Sequence, residues 1–152
     1  MIDNIYLDLD GVCCAFDSIY KQYTKEEWCE HAFEDFVNDK GFERLNPLPD
    51  AFELIGYLWN LKIPTTILSS AGGVPKLFEQ IVDQKLNWLE THNINFPAII
   101  VPSKEVKSQF STERSVLIDD QLVNVNDFIV AGGFGIHHKS TKETIKELEK
   151  LL

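Results

Sequence analysis

Near its start the chain reads Ile5-Tyr6-Leu7-Asp8-Leu9-Asp10-Gly11-Val12, an apolar strand that ends in two carboxylates just before a glycine. Successive strand residues point to opposite faces, but where the strand stops and the chain coils, Asp8 and Asp10 can turn toward the same crevice. At neutral pH two such acids repel unless a divalent cation or a shared proton holds them. Gly11 permits a sharp turn without a Cβ penalty, so that a backbone carbonyl can also face a cation. The competing reading is a solvated loop with two chance acids. A second acidic pair weighs against it: Val116-Leu117-Ile118 runs into Asp119-Asp120. Between them Thr65-Thr66-Ile67-Leu68 runs into Ser69-Ser70-Ala71-Gly72-Gly73, and hydroxyls with the N–H groups of such a turn suit phosphate oxygens. In an open parallel sheet ligands bind beyond the carboxyl ends of the strands, so three strand ends bring acids, hydroxyls and acids to one edge.

The rest of the pattern predicts what lies between these strands. The first strand is expected to run to about Leu9, and the next clear strand begins near Pro64, a gap too long for one crossover. Residues from Phe16 to Gly41 read as short helices with an aromatic face of Tyr20, Tyr23, Trp28, Phe33 and Phe36, a small helical cap over the strand ends. The span 50–61 reads as the crossover helix, with Asp50 as its N-cap and Phe52, Leu54, Ile55, Leu58 and Leu61 as its apolar stripe. A long amphipathic helix follows over 75–92, opened by Pro75 and striped by Leu77, Phe78, Ile81, Val82, Leu86 and Leu89. Then come a strand over 98–101, a short helix over 104–110, the acidic strand, a short helix over 121–130, an edge strand over 134–137 and a closing helix over 141–152. Strands alternating with helices predict an α/β chain, a Rossmann-like parallel sheet of about five strands with helices on both faces. The expected organisation is one domain over 1–152 with the cap at about 14–47.

Composition narrows the function. A hydrophobic fraction of 44% argues for a folded globule. No apolar run is long enough to cross a bilayer and Asp3 stands where a signal peptide would carry base, so the expectation is a soluble, cytoplasmic protein. A formal charge of −10 disfavours nucleic acid as a partner, because polyanion binding rests on Lys and Arg. Small phosphorylated molecules remain open, given a cation and a local lysine in the pocket. Cys13, Cys14 and Cys29 lack metal-like spacing and read as reduced thiols. A thiolate at Cys13, beside the acids, is electrostatically disfavoured as a nucleophile. His137 and His138 are adjacent and face opposite ways on a strand, so they read with His31 as surface or packing residues.

Taken together, the Asp8-x-Asp10-Gly11 strand end, the Ser69 strand end, a lysine and the Asp119-Asp120 pair resemble the haloacid dehalogenase-like superfamily of phosphohydrolases, over essentially the whole chain. A closer resemblance, to the 5'(3')-deoxyribonucleotidase family and its phage and bacterial relatives, rests on four segments. These are Asp8-Leu9-Asp10-Gly11-Val12 followed by Phe16, Leu45-Asn46-Pro47-Leu48-Pro49-Asp50-Ala51, Lys85-Leu86-Asn87-Trp88-Leu89-Glu90, and Leu117-Ile118-Asp119-Asp120. The chain departs from that family in a shorter insert after the first motif and in the wording around Lys104 and Lys107.

The resemblance implies a Mg²⁺-dependent phosphomonoesterase. Asp8 would be the nucleophile and form an aspartyl-phosphate, and Asp10 the general acid/base. Ser69 and Ser70 would bind phosphate, and Asp8, the Asp10 carbonyl, Asp119 and Asp120 would hold the metal. Lys107 is preferred as the phosphate-facing lysine, with Lys104 and Lys85 as alternatives; a solvated helix lysine is the ordinary reading of each. Dehalogenase members of the superfamily lack an acid at the Asp10 position, since halide departure needs no proton, so Asp10 favours phosphoester chemistry. Phe16 would stand where the nucleotidase family stacks a base, or else pack within the cap; Trp28 and Phe36 are expected to pack. The implied substrate is a nucleoside monophosphate, with a sugar phosphate, a nucleic-acid 3' end, or a non-catalytic nucleotide-binding module of the same fold as alternatives.

Overall fold

In the computed structural model, which describes residues 1–24 and 28–152, five strands form one parallel sheet in the order β3-β2-β1-β4-β5. The strands are β1 (Asn4–Leu7), β2 (Thr65–Ser70), β3 (Ala98–Val101), β4 (Ser115–Asp119) and β5 (Phe134–His137). Ile5, Leu7, Ile67, Leu68, Val116, Leu117 and Ile118 are all fully buried, as befits strands covered on both faces. Helices α1 (Phe16–Thr24) and α2 (Glu30–Asn38) follow β1, and α3 (Ala51–Asn60), α4 (Phe78–Thr91), α5 (Leu122–Val130) and α6 (Thr141–Leu151) cover the sheet. The fold class is therefore as expected. The cap comprises α1, α2 and a 3₁₀ turn at Gly41–Arg44, and residues 25–27 within its expected span lie outside the described residues.

The chain moves outward from β1 through β2 to β3, then returns to the other side of β1 for β4 and β5. That reversal opens a crevice beyond the ends of β1 and β4, the place where open α/β sheets bind ligands. Leu7 pairs with Ile118, so Asp8 and Asp119 emerge side by side from neighbouring strands.

Six local expectations are corrected. Strand β1 ends at Leu7, because the Leu9 carbonyl accepts the N–H groups of Val12, Cys13 and Cys14 and curls the chain before Asp10 can extend the ladder. Asp50 precedes α3 but does not cap it; its carboxylate instead accepts the Thr141 N–H at 2.8 Å, capping α6 across the fold. In α3, Phe52 is half exposed, and the buried stripe is Ala51, Leu54 and Leu58. In α4, Leu86 is exposed, while Ile81, Gln84, Lys85, Trp88 and Leu89 face inward, so two polar residues occupy the stripe. Pro75 opens a separate 3₁₀ turn ahead of α4, and the segment Lys104–Phe110 is also 3₁₀.

The polar residues of α4 join the cap to the sheet. Gln84 accepts the Phe42 N–H at 3.2 Å and donates to the Val37 carbonyl at 2.7 Å, and the Trp88 indole donates to the Leu45 carbonyl at 2.8 Å. Inside the cap Phe16 stacks on Tyr20 and Phe42, and Phe36 meets Phe16, Tyr20 and Phe42 edge-on. Phe36 thus packs, as its helical spacing predicts. The cysteines are free thiols, Cys13 and Cys14 buried and Cys29 exposed as the N-cap of α2. Among the described residues no helix is long and apolar enough to cross a membrane.

Candidate active site

A cavity of about 650 Å³ opens at the switch point between β1 and β4. Asp8, Asp10, Gly11, Asp120, Lys107 and Asn124 lie at its polar end; Phe16, Trp28, Phe33 and Phe42 form an aromatic wall from the cap side. Ser70, Gly72, Gly73, Ser103 and Lys104 contribute the remaining rim.

At the floor, Lys107 is buried between two acids, its Nζ 2.9 Å from Asp8 Oδ1 and 2.7 Å from Asp119 Oδ2. Burial works against the Lys107 charge, but Asp8 and Asp119 outweigh it and hold its pKa above the ordinary lysine value. Asp119 is heavily engaged: Oδ2 also accepts from Asn124 at 3.1 Å and Oδ1 accepts the Gln121 N–H at 2.9 Å, which leaves one lone-pair site on Oδ1. Asp120 differs. Its Oδ1 is buried with no hydrogen-bond partner among the described residues, and a Cβ on Gly11 would fall 2.0 Å from its Oδ2. Gly11, at φ +81, is therefore required both by its turn and by the carboxylate pressed against it. Backbone contacts fix the pair from behind, with the His137 ring nitrogen 2.9 Å from the Asp120 carbonyl and the His138 N–H on the Asp119 carbonyl.

Carboxylate oxygens of Asp8, Asp119 and Asp120 lie within 4.8 Å of one another. Burial, reinforced by Asp119 and Asp10 and opposed by Lys107, pushes the Asp8 carboxyl up to about 8. Burial and then Asp119 raise Asp120 to about 6. Crowded acids with one orphaned oxygen are what a hard divalent cation relieves, and oxygen donors of this kind fit Mg²⁺. Asp120, with its orphaned Oδ1, and Asp8 have the most coordination capacity, while Asp119 keeps one site on Oδ1 beside its bonds to Lys107, Asn124 and Gln121.

A second buried ammonium sits on the other side of Asp10. Lys85, 2% exposed, donates to Asp10 Oδ2 at 2.7 Å, Ser69 Oγ at 2.7 Å and the Ser70 carbonyl at 2.9 Å, and lies 4.8 Å from the centre of the Phe42 ring. Its three N–H bonds are all used, whereas Lys107 meets two acceptors and borders the cavity. Neither is a solvated helix lysine. Cys14 Sγ lies 3.3 Å from Asp10 Oδ1, and burial pushes that thiol well above its ordinary pKa, as it does for Cys13, so neither is a ready nucleophile.

The two serines separate. Ser69 is wholly buried toward Lys85, while Ser70 borders the cavity and its Oγ accepts the Gly72 N–H at 3.1 Å. Phe16 borders the cavity while packing in the cap. Trp28 is 60% exposed at the cavity rim, where it was expected to pack; it precedes the Cys29 N-cap and so stands outside the helical stripe of α2. His31 is exposed beside Asp35, and His138 is buried against Thr144. Residues that the sequence did not single out are Asn124, which tethers Asp119 from the first turn of α5, and Asp17 at the rim. For Asn124 no sequence signal existed; Lys85, named as an alternative phosphate-facing lysine, instead pairs with Asp10 and Ser69 from the buried face of α4.

No family model matches the chain, and no curated protein does. Solved structures do. A hydrolase from Streptococcus pneumoniae TIGR4 aligns over 97% of this chain and 98% of its own, with a TM-score of 0.63 at 12% identity. A phosphoserine phosphatase, solved as an analogue of its phospho-aspartyl intermediate, aligns over 96% of this chain and 98% of its own, with a TM-score of 0.56 at 16% identity. The L-2-haloacid dehalogenase of Xanthobacter autotrophicus aligns over 98% of this chain and 83% of its own, with a TM-score of 0.54 at 16% identity. At such identities the likeness is one of fold: the chain shares a Rossmann-like α/β architecture with these three enzymes.

Proposed function

We propose that this protein is a Mg²⁺-dependent phosphomonoesterase that works through an aspartyl-phosphate on Asp8, with a nucleoside monophosphate as substrate, in the manner of the 5'(3')-deoxyribonucleotidase family. The observation that carries the reading is the floor of the cavity: Asp8 clamped by Lys107, Asp10 at the rim, and an orphaned oxygen on Asp120. Since the fold alone serves both a dehalogenase and a phosphatase, the discriminating feature is Asp10, an acid that a departing alkoxide needs and a departing halide does not.

Asp8, Asp120 and the Asp10 carbonyl would hold Mg²⁺, which when bound offsets the repulsion between the Asp8 carboxylate and an anionic phosphate. Lys107 holds Asp8 in place and has one N–H left for a phosphate oxygen, which favours it over Lys85, whose N–H bonds are spent. Ser70 and the turn at Gly72 and Gly73 face the same space, so they, with Ser69 behind them, are the proposed phosphate-binding strand end. Asp10 protonates the leaving oxygen and then takes a proton from the attacking water.

The aromatic wall favours a nucleoside over a sugar. Phe16, Trp28, Phe33 and Phe42 offer ring surface at the cavity, and base stacking on such a surface contributes about 1–3 kcal/mol. The test is phosphate release from a panel of deoxynucleoside and ribonucleoside monophosphates and sugar phosphates, with Mg²⁺ and with chelator. Chelator-sensitive release that is strongest on nucleoside monophosphates and lost in Asp8→Asn is the expected result. Release from sugar phosphates alone overturns the substrate, and binding of nucleotides without any release overturns the enzyme.

A further inference from the structure

Lys85 is unusual in having nothing to do with the cavity directly. It does not border that space, its ammonium is 2% exposed, and its three N–H bonds end on Asp10 Oδ2, Ser69 Oγ and the Ser70 carbonyl. Phe42 closes the opposite side, its ring centre 4.8 Å from Nζ, and Phe42 is itself held by the Gln84 side chain one residue from Lys85. With its three N–H bonds spent on protein acceptors, the cation is held away from the cavity.

We infer that Lys85 is a positioning residue for Asp10, holding Oδ2 as a pure acceptor so that Oδ1 is the oxygen that exchanges protons with the reacting groups. The inference rests on the phosphomonoesterase reading above. An ammonium donating to Oδ2 at 2.7 Å disfavours a proton on that oxygen, while among the described residues Oδ1 meets only the weak donor of the Cys14 thiol at 3.3 Å. A carboxyl group free to rotate would present either oxygen, and orientation of this kind carries much of the advantage of a built-in acid.

Both steps then run through one atom. In the first, an Asp8 oxygen bonds to phosphorus, the bond from phosphorus to the leaving oxygen breaks, and the proton on Asp10 Oδ1 passes to that departing oxygen. In the second, a water oxygen bonds to phosphorus, the Asp8–phosphorus bond breaks with its electron pair returning to Asp8, and a water proton passes to Asp10 Oδ1. Losing Lys85 should harm the first step only when the leaving group needs its proton.

The experiment compares kcat/KM in Mg²⁺ for p-nitrophenyl phosphate, whose phenolate departs unassisted, with that for an alkyl ester, glycerol 2-phosphate. Lys85→Met keeps the length and apolar stem. It is expected to lower kcat/KM on the alkyl ester by on the order of 10²-fold and on the aryl ester by less than about 5-fold, with inhibition by inorganic phosphate unchanged within about 3-fold. Lys85→Gln, a neutral side chain that can still donate an N–H in the same buried site, should give the same skew at about 3- to 10-fold and serves if Lys85→Met does not fold. Equal losses on the two esters, no loss, or weakened phosphate inhibition without the skew would overturn the inference. Phosphate release by the unaltered chain tests the underlying reading separately; if it hydrolyses neither ester nor any nucleoside monophosphate, that reading fails and the role of Lys85 falls with it.

Discussion

Asp8, Asp119 and Asp120 crowd around the Lys107 ammonium beyond β1 and β4, so this point of the molecule carries more negative charge than its surroundings can solvate. A pH dependence follows. Asp8 rises from an ordinary 3.8 to about 8 and Asp120 to about 6, so the folded state holds protons that the unfolded chain has released. Their stabilising contribution is complete below about pH 4 and disappears as pH rises through about 6 and then 8. Thermal melts in chelator should therefore fall across that window, and Asp8→Asn, neutral throughout, should remove much of the slope. At Gly11 the expected cost has a different origin. Gly11→Ala forces a Cβ onto the Asp120 carboxylate at positive φ, and should cost on the order of 1–3 kcal/mol in urea denaturation while weakening Mg²⁺ binding in calorimetry. The residue types were readable from sequence: Asp8, Asp10, Asp119 and Asp120 close apolar strands, and Asp8, Asp10 and Asp120 line one cavity with Asp119 buried beside them. Which acid is heavily hydrogen-bonded and which is left with an orphaned oxygen was not readable, because it depends on Asn124 of α5 and on the N–H of Gln121 just before it.

At the scale of elements, α4 does two jobs with one face. Ile81, Trp88 and Leu89 seal it to the core, and from the same face Gln84 and the Trp88 indole reach the cap while Lys85 reaches β2. Gln84→Ala strips partners from the buried Phe42 N–H and Val37 carbonyl and should lower stability by about 1–3 kcal/mol, read by urea denaturation. Helical periodicity found α4, but by counting only apolar residues it placed Leu86 in the stripe and passed over Lys85. A polar residue belongs to a buried face when a distant element supplies its partner, and sequence spacing carries no record of that element. Asp50 makes the same point. Its position before α3 has the form of an N-cap, yet the donor it finds is the Thr141 N–H of α6, 91 residues away.

For the molecule as a whole, the charge of −10 and the acidic crevice make cation binding a folding question as well as a catalytic one. A ligand present at 100 times its Kd stabilises the state that binds it by about 2.7 kcal/mol, so Mg²⁺ at that level should raise the Tm of the unaltered chain and leave that of Asp120→Asn much less changed. What the sequence determined by itself is the alternation of elements and the chemistry of the strand ends, because buried parallel strands need continuous apolar runs and the chain can become polar only where those runs stop. The tertiary structure decided which of those polar groups face the cavity and which face one another. It turned Ser70 outward and Ser69 toward Lys85, sent Trp28 to the rim and Phe36 into the cap, and gave Lys107 to Asp8 and Lys85 to Asp10. Those choices follow from hydrogen-bond satisfaction among groups brought together from β1, β2, β4 and α4, a condition that exists only once the sheet is assembled.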